Sequence, residues 1–190
     1  MNVLGLTGSL RRGSNTDILL EEVLKGAASK GAECKTVVIP NLNILACQHC
    51  DACLSAGVCP FGDDMARIYK DLAWADGIVL AAPLHFMGLP SQTKALVDRT
   101  QALWVKKYLL KQPPLGDERG RRGLFVSVGG RTGEHLFEGA LATVRAFFAS
   151  MDVKYAGLVA YASVEKRAEI AARPEALREA FAAGEKLFEA

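Results

Sequence analysis

Apolar positions along the chain change their period repeatedly, and those changes mark its elements. NVLGLTG at 2 to 8 is a short apolar run that ends in glycine, which predicts a strand entering a loop. From about Ser14 to Lys30, Leu19, Leu20, Val23, Leu24, Ala27 and Ala28 share one helical face. Ser14 and Asp17 have the spacing of a capping box, and Gly31 is placed to stop that helix. The unit then recurs: ECKTVVI at 33 to 39 predicts a second strand, and DDMARIYKDLAWA at 63 to 75 a helix with Met65, Ile68, Tyr69 and Leu72 on one side. GIVLAAP at 77 to 83 is a third strand, followed by one helix from about Ser91 to Leu110 that ends before Pro113 and Pro114. GLFVSVG at 123 to 129 and YAGLVAY at 155 to 161 are the fourth and fifth strands, separated by a helix through Leu136, Phe137, Ala140, Leu141, Val144 and Phe148. The remainder is helical, interrupted near Arg173 and restarted by Pro174. Strands without strict polar alternation, separated by helix-length segments, indicate a parallel sheet covered on both faces. The expected fold is a right-handed, three-layer α/β/α sandwich.

Composition narrows the classes without changing that picture. With 190 residues, half of them apolar, the chain can bury a core as one domain, residues 1–190, and needs no disulfide framework. KQPPLGDERGRR at 111 to 122 reads as a charged loop rather than a domain linker. MNVLGLTGS lacks the pattern of a secretory leader, and nowhere do about 20 apolar residues run together, so a cytoplasmic setting with no membrane insertion is expected. A formal charge of +2 does not call for a nucleic-acid partner.

In an open parallel sheet, ligands bind beyond the carboxyl ends of the strands. Three connections fall there: GSLRRGSNT, PLHFMGLPSQ and GGRTGE. The first offers hydroxyls at Ser9, Ser14 and Thr16, an amide at Asn15, the free amides of a helix start, and charge from Arg11 or Arg12. Those groups suit a singly attached phosphate; the alternative is a solvent loop with an ordinary helix cap. The loop is neither a Walker loop nor the spaced-glycine dinucleotide fingerprint. In the second, backbone amides and an aromatic edge can lie beside a planar ligand, with His85 either in direct chemistry or merely at a loop surface. Gly129 and Gly130 of the third can pass close to a ring.

Five cysteines in a reducing compartment point to metal or redox chemistry rather than structural bridges. Cys47, Cys50, Cys53 and Cys59 form a C-x2-C-x2-C-x5-C segment, with Gly57 in the longer gap and Pro60 after the last cysteine. The spacing echoes bacterial ferredoxin segments, whose last gap is shorter. Four thiolates also make a zinc site, and a disulfide pair or idle thiols is the metal-free alternative. His49 either tunes a bound cluster or is an exposed neighbour, and Cys34 reads as a small buried side chain in the second strand.

GSLRRGSNT, AAPLHFMGLPSQTKALVDR and the cysteine insertion at about 42–62 together resemble the flavodoxin-like NAD(P)H-dependent FMN reductases, in particular their iron-sulfur flavoprotein branch, over roughly residues 1 to 160. The resemblance implies a five-stranded parallel sheet in the order 2-1-3-4-5. It places FMN phosphate on Ser9, Arg11, Ser14, Asn15 and Thr16, and the flavin ring beside Pro83, Leu84, His85, Phe86, Met87, Gly88, Gly129 and Gly130. Where this chain has His85, many relatives have tyrosine. The resemblance assigns Cys47, Cys50, Cys53 and Cys59 to one [4Fe-4S] cluster. The function it implies is electron transfer through FMN and that cluster, between a reduced donor such as ferredoxin, with NAD(P)H the nearest alternative, and a small-molecule or protein acceptor. It further implies a homodimer or homotetramer, with Trp104 and Tyr108 as candidate interface aromatics. Two other functions fit the residues: an NAD(P)H-dependent FMN or quinone reductase without a cluster, and a zinc-stabilised or thiol-based interaction protein.

Overall fold

The computed structural model describes residues 1–189. Five strands, β1 (Asn2–Thr7), β2 (Glu33–Val38), β3 (Gly77–Pro83), β4 (Arg121–Val128) and β5 (Val153–Tyr161), pair in parallel in the order β2-β1-β3-β4-β5. The three inner strands are buried almost throughout, while β2 and β5, at the edges, keep exposed positions. Neighbouring residues of a strand point to opposite faces, so each inner strand serves two cores. Val3, Val79 and Val126 face α1 (Asn15–Ser29) and α6 (Pro174–Glu185). Leu4, Leu80 and Phe125 face the other layer, made by α2 (Met65–Trp74), α3 (Ser91–Arg99), α4 (Gln101–Tyr108) and α5 (Glu138–Ser150). This is the expected flavodoxin-like three-layer sandwich.

Packing of α1 on α6 is close enough to involve backbone. A Cβ on Gly26 would sit 2.0 Å from the Phe181 carbonyl oxygen, and one on Gly184 would sit 1.9 Å from that of Val23. Two glycines therefore hold the last helix against the first, and with it the segment that leads into α6.

Three elements differ from the pattern. The helix expected from Ser91 to Leu110 is two helices, separated at Thr100, whose amide and hydroxyl both bond to the Val97 carbonyl (3.0 and 2.7 Å) in place of an i−4 partner. Strand β4 begins at Arg121, a residue 1% exposed. Its guanidinium donates to the Ala75 and Ala73 carbonyls (2.9 and 3.0 Å) and pairs with Asp117 (2.7 Å). Cys34 is half-buried in β2 rather than fully enclosed. No helix among the described residues is long and apolar enough to cross a membrane.

Candidate functional site

In the loop between β1 and α1 the side chains bond back onto the loop itself. Ser14 caps α1: its hydroxyl accepts from the Asp17 amide (3.2 Å), and the Asp17 carboxylate accepts in return from the Ser14 amide (3.1 Å). The same carboxylate accepts from the Thr7 hydroxyl (2.5 Å), which ties the cap to the end of β1. Ser9 bonds the Arg11 amide through its hydroxyl (3.2 Å). At Gly8 the backbone passes against α3, where an added Cβ would meet the Thr93 hydroxyl at 2.0 Å. That hydroxyl is fully buried and has no hydrogen-bond partner. The first-turn amides of α1 have no acceptor within the helix, and the helix dipole adds positive potential there.

Those groups open onto a cavity of about 440 Å³ lined by Ser9, Arg11, Ser14, Asn15, Thr16, Pro83, Leu84, His85 and Gly130. Arg11 faces this cavity, whereas Arg12 lines a separate one behind the loop with Asp17 and Thr36. A second cavity of about 640 Å³ shares Leu84, Gly130 and Glu165 with the first, and adds Phe86, Met87 and Gly129. The structure thus brings the three strand-end loops to one site. Gly88 is outside both linings and closes the second loop instead.

That closure is a two-residue hairpin. His85 and Gly88 exchange backbone hydrogen bonds of 3.0 and 2.9 Å around Phe86 and Met87, whose φ angles are +50° and +62°. Positive φ at both central positions is the type I′ geometry, which favours asparagine and glycine. Here it carries two bulky residues, and Phe86 is completely exposed. From the other side Gly139 lets α5 approach, since a Cβ there would be 2.8 Å from the Met87 carbonyl oxygen.

A fourth segment, unanticipated from the sequence, completes the first cavity: Val164, Glu165 and Arg167, between β5 and α6. The Asn15 side chain holds it, donating to the Lys166 carbonyl (2.8 Å) and accepting from the Ile170 amide (3.0 Å). One side-chain N–H of Asn15 and its backbone N–H remain for a ligand in the cavity that it lines.

Residues 1–163 match the family model described as NADPH-dependent FMN reductase. The chain belongs to that family. Among curated proteins, this FMN-reductase-family chain is 37% identical over 130 residues to a protein named iron-sulfur flavoprotein from Methanosarcina thermophila, covering 68% of this chain and 64% of that one. It is 38% identical over 128 residues to another of that name from Archaeoglobus fulgidus, covering 67% and 62%. The chain thus spans less than two thirds of the length of either relative. Among solved structures, a NAD(P)H:quinone oxidoreductase from Methanothermobacter marburgensis superposes with a TM-score of 0.72 at 18% identity, covering 100% of this chain and 98% of that one. A flavone reductase superposes with a TM-score of 0.75 at 19% identity, covering 98% and 62%. Both likenesses are of fold.

In this FMN-reductase-family chain, Cys47, Cys50, Cys53 and Cys59 line one small recess beside Phe61 and Arg99. Cys47 and Cys50 are exposed, Cys53 and Cys59 half-buried, and all are free thiols. Burial pushes the Cys53 thiol up, and the neighbouring cysteines add to that. Thiolate ligands must converge on a centre, at about 2.3 Å for zinc. Among the described residues no group of three or more His, Cys, Asp or Glu side chains could hold a metal ion. The expectations of a [4Fe-4S] cluster, of a zinc site and of an electron relay between cluster and flavin are corrected accordingly: the thiols share a recess without forming a ligand set. His49, 91% exposed, extends outward with Asp51 at 3.8 Å.

The insertion is anchored elsewhere. Arg99, on α3, and Asp63 form a buried ion pair (2.5 and 3.1 Å) whose side chains are 1% and 2% exposed. Arg99 also donates to the Leu45 carbonyl (2.9 Å) and lies over the Phe61 ring, 4.9 Å from its centroid. The contacts of Arg99 are those of an anchor.

Proposed function

We propose that this chain is an NAD(P)H-dependent FMN or quinone reductase that works without a metal cluster. One observation carries the proposal: the phosphate-type loop, the hairpin after β3 and the glycines after β4 line two cavities that share Leu84, Gly130 and Glu165. The donor set fits FMN. A monoester phosphate is matched by the first-turn amides of α1, the Ser9, Ser14 and Thr16 hydroxyls and Arg11. An apolar, planar ring is matched by Pro83, Leu84 and the segment from His85 to Met87, together with Gly129 and Gly130. Bound FMN supplies a ring that accepts a hydride and returns two electrons to an acceptor. The chain's own part is binding, orientation and exclusion of water. The larger cavity at Phe86, Met87 and Arg131 leaves room for a nicotinamide donor and then a quinone or free flavin.

A cytoplasmic setting fits the five free thiols. Self-association, as a homodimer or homotetramer, is supported by Trp104 and Tyr108, each 38% exposed, with ring centroids 5.3 Å apart beside exposed Leu109.

The test is anaerobic purification followed by FMN titration, iron and sulfide analysis, and NAD(P)H oxidation with a quinone. We expect one FMN per chain and quinone-dependent NAD(P)H oxidation that persists after Cys50→Ala. Failure of the folded chain to bind FMN would reject the proposal, and iron and sulfide in stoichiometric amounts would reject its cluster-free form.

A further inference from the structure

Arg167 lies 151 residues beyond Thr16 in sequence, yet both line the same cavity with Ser14 and Arg11. Its guanidinium donates to the Arg12 carbonyl, and it lies 3.6 Å from the point where a side chain on Gly13 would begin. One of its five N–H donors is used in that bond, so the rest of the fork is free to meet an anion over the loop. Three ties hold the segment that delivers it. The Asn15 amide grips Lys166 and Ile170, as described. The Glu169 carboxylate accepts from the Glu165 and Lys166 amides (2.9 Å each). Arg173 donates to the Ser163 carbonyl (2.6 Å). These bonds hold Glu169 below the usual carboxylate range, with the Lys166 amide the largest cause.

We propose that Arg167 is a second cationic ligand of the flavin phosphate, alongside Arg11, and that Asn15 is the positioning residue that holds it there. The inference rests on the FMN reading above and deepens it. A carboxamide at the first position of α1 is not needed to cap the helix, which Ser14 already does. Its two bonds instead join the start of the first helix to the segment after the last strand, and that join sets Arg167 above the helix start. The charge in the cavity supports the assignment: Arg11 and Arg167 face the single carboxylate of Glu165, which lies where the first cavity meets the second. A phosphate dianion on the loop side leaves Glu165 toward the ring side.

The experiment compares FMN with riboflavin, which lacks the phosphate, by fluorescence titration of the full chain. Arg167→Gln keeps a donor for the Arg12 carbonyl and removes the charge. It should weaken FMN about tenfold, as for loss of one charge-assisted hydrogen bond, and leave riboflavin unchanged. Unchanged FMN affinity, or an equal loss for both ligands, would overturn the role of Arg167. In an Asn15→Ala background, Arg167→Gln should cost FMN less than about twofold, because Arg167 is no longer held. A full tenfold loss there would overturn the positioning role of Asn15. A folded original protein that binds no FMN would instead refute the reductase reading and this inference with it.

Discussion

Asp63→Ala removes the acceptor on which the cysteine-rich insertion hangs. Its carboxylate receives two bonds from Arg99 (2.5 and 3.1 Å), one from the Leu45 amide (2.9 Å) and one from the Met65 amide (3.1 Å). Without it the Arg99 guanidinium, 1% exposed at the side chain and with its Nε already unpartnered, is left as an uncompensated buried charge. Breaking a buried pair from one side costs about 3–5 kcal/mol, a large share of the roughly 5–15 kcal/mol that holds a domain together. Urea unfolding followed by circular dichroism reads the global loss, and limited proteolysis at residues 45 to 62 reads local release of the insertion. A global loss below about 1 kcal/mol with unchanged cleavage would refute the role given to the pair. Replacing both partners, Asp63→Leu with Arg99→Met, should cost less than Asp63→Ala alone, because no charge is then stranded. The pH dependence has a definite sign. Burial pushes the Asp63 carboxyl up, but its bonds from Arg99, Leu45 and Met65 prevail and hold it below its ordinary value. Its contribution is therefore complete above about pH 4, the unfolded value, and is lost as pH falls through the lower folded value. Asp63→Asn should flatten that part of the stability profile.

Gly8→Ala should loosen the site from the β1 side: its Cβ would collide with the fully buried Thr93 hydroxyl at 2.0 Å, so either the loop or α3 must shift. A loss of about 1–3 kcal/mol in urea unfolding is expected, largely restored by Thr93→Ala in the same chain, and no restoration would show that the contact is not the cause. Trp104→Lys with Tyr108→Lys should convert an associated species to monomers in sedimentation velocity without loss of helix signal, and a protein already monomeric at every concentration would refute self-association through this face.

How far the fold was legible follows from which interactions are local. Strand positions and the α1 capping box follow from period changes and residue spacing, whereas sheet order was implied by the family resemblance; Ser14 with Asp17 forms the box as its spacing implies. Thr100 looked like one more helical residue, because the bond of its hydroxyl to the Val97 carbonyl, which accompanies the break, is not announced by the apolar period. The start of β4 was hidden for a similar reason: Arg121 reads as polar loop until the Ala73 and Ala75 carbonyls at the end of α2 and the Asp117 carboxylate are seen to enclose it. The Phe86 and Met87 turn lacks the asparagine and glycine that would have announced it, so backbone strain of about 1–3 kcal/mol per residue is held at the site with no local signal.

The cysteines and Arg167 show the two opposite errors that spacing invites. C-x2-C-x2-C-x5-C is a strong local pattern, yet spacing along the chain constrains only how far apart the sulfurs can be, not where they point. In the fold Cys47, Cys50, Cys53 and Cys59 reach one recess without making a metal-ligand group. Arg167 has no pattern at all. The segment that carries it is bonded to Asn15, a residue of the glycine- and serine-rich loop at the start of α1. A loop of that composition identifies the end of the sheet where a ligand binds. It does not say which of its side chains are also bonded to a distant segment. Ser14 and Asn15, adjacent residues that both line the cavity, carry different further bonds, one closing the helix cap and the other joining the start of α1 to the segment after β5.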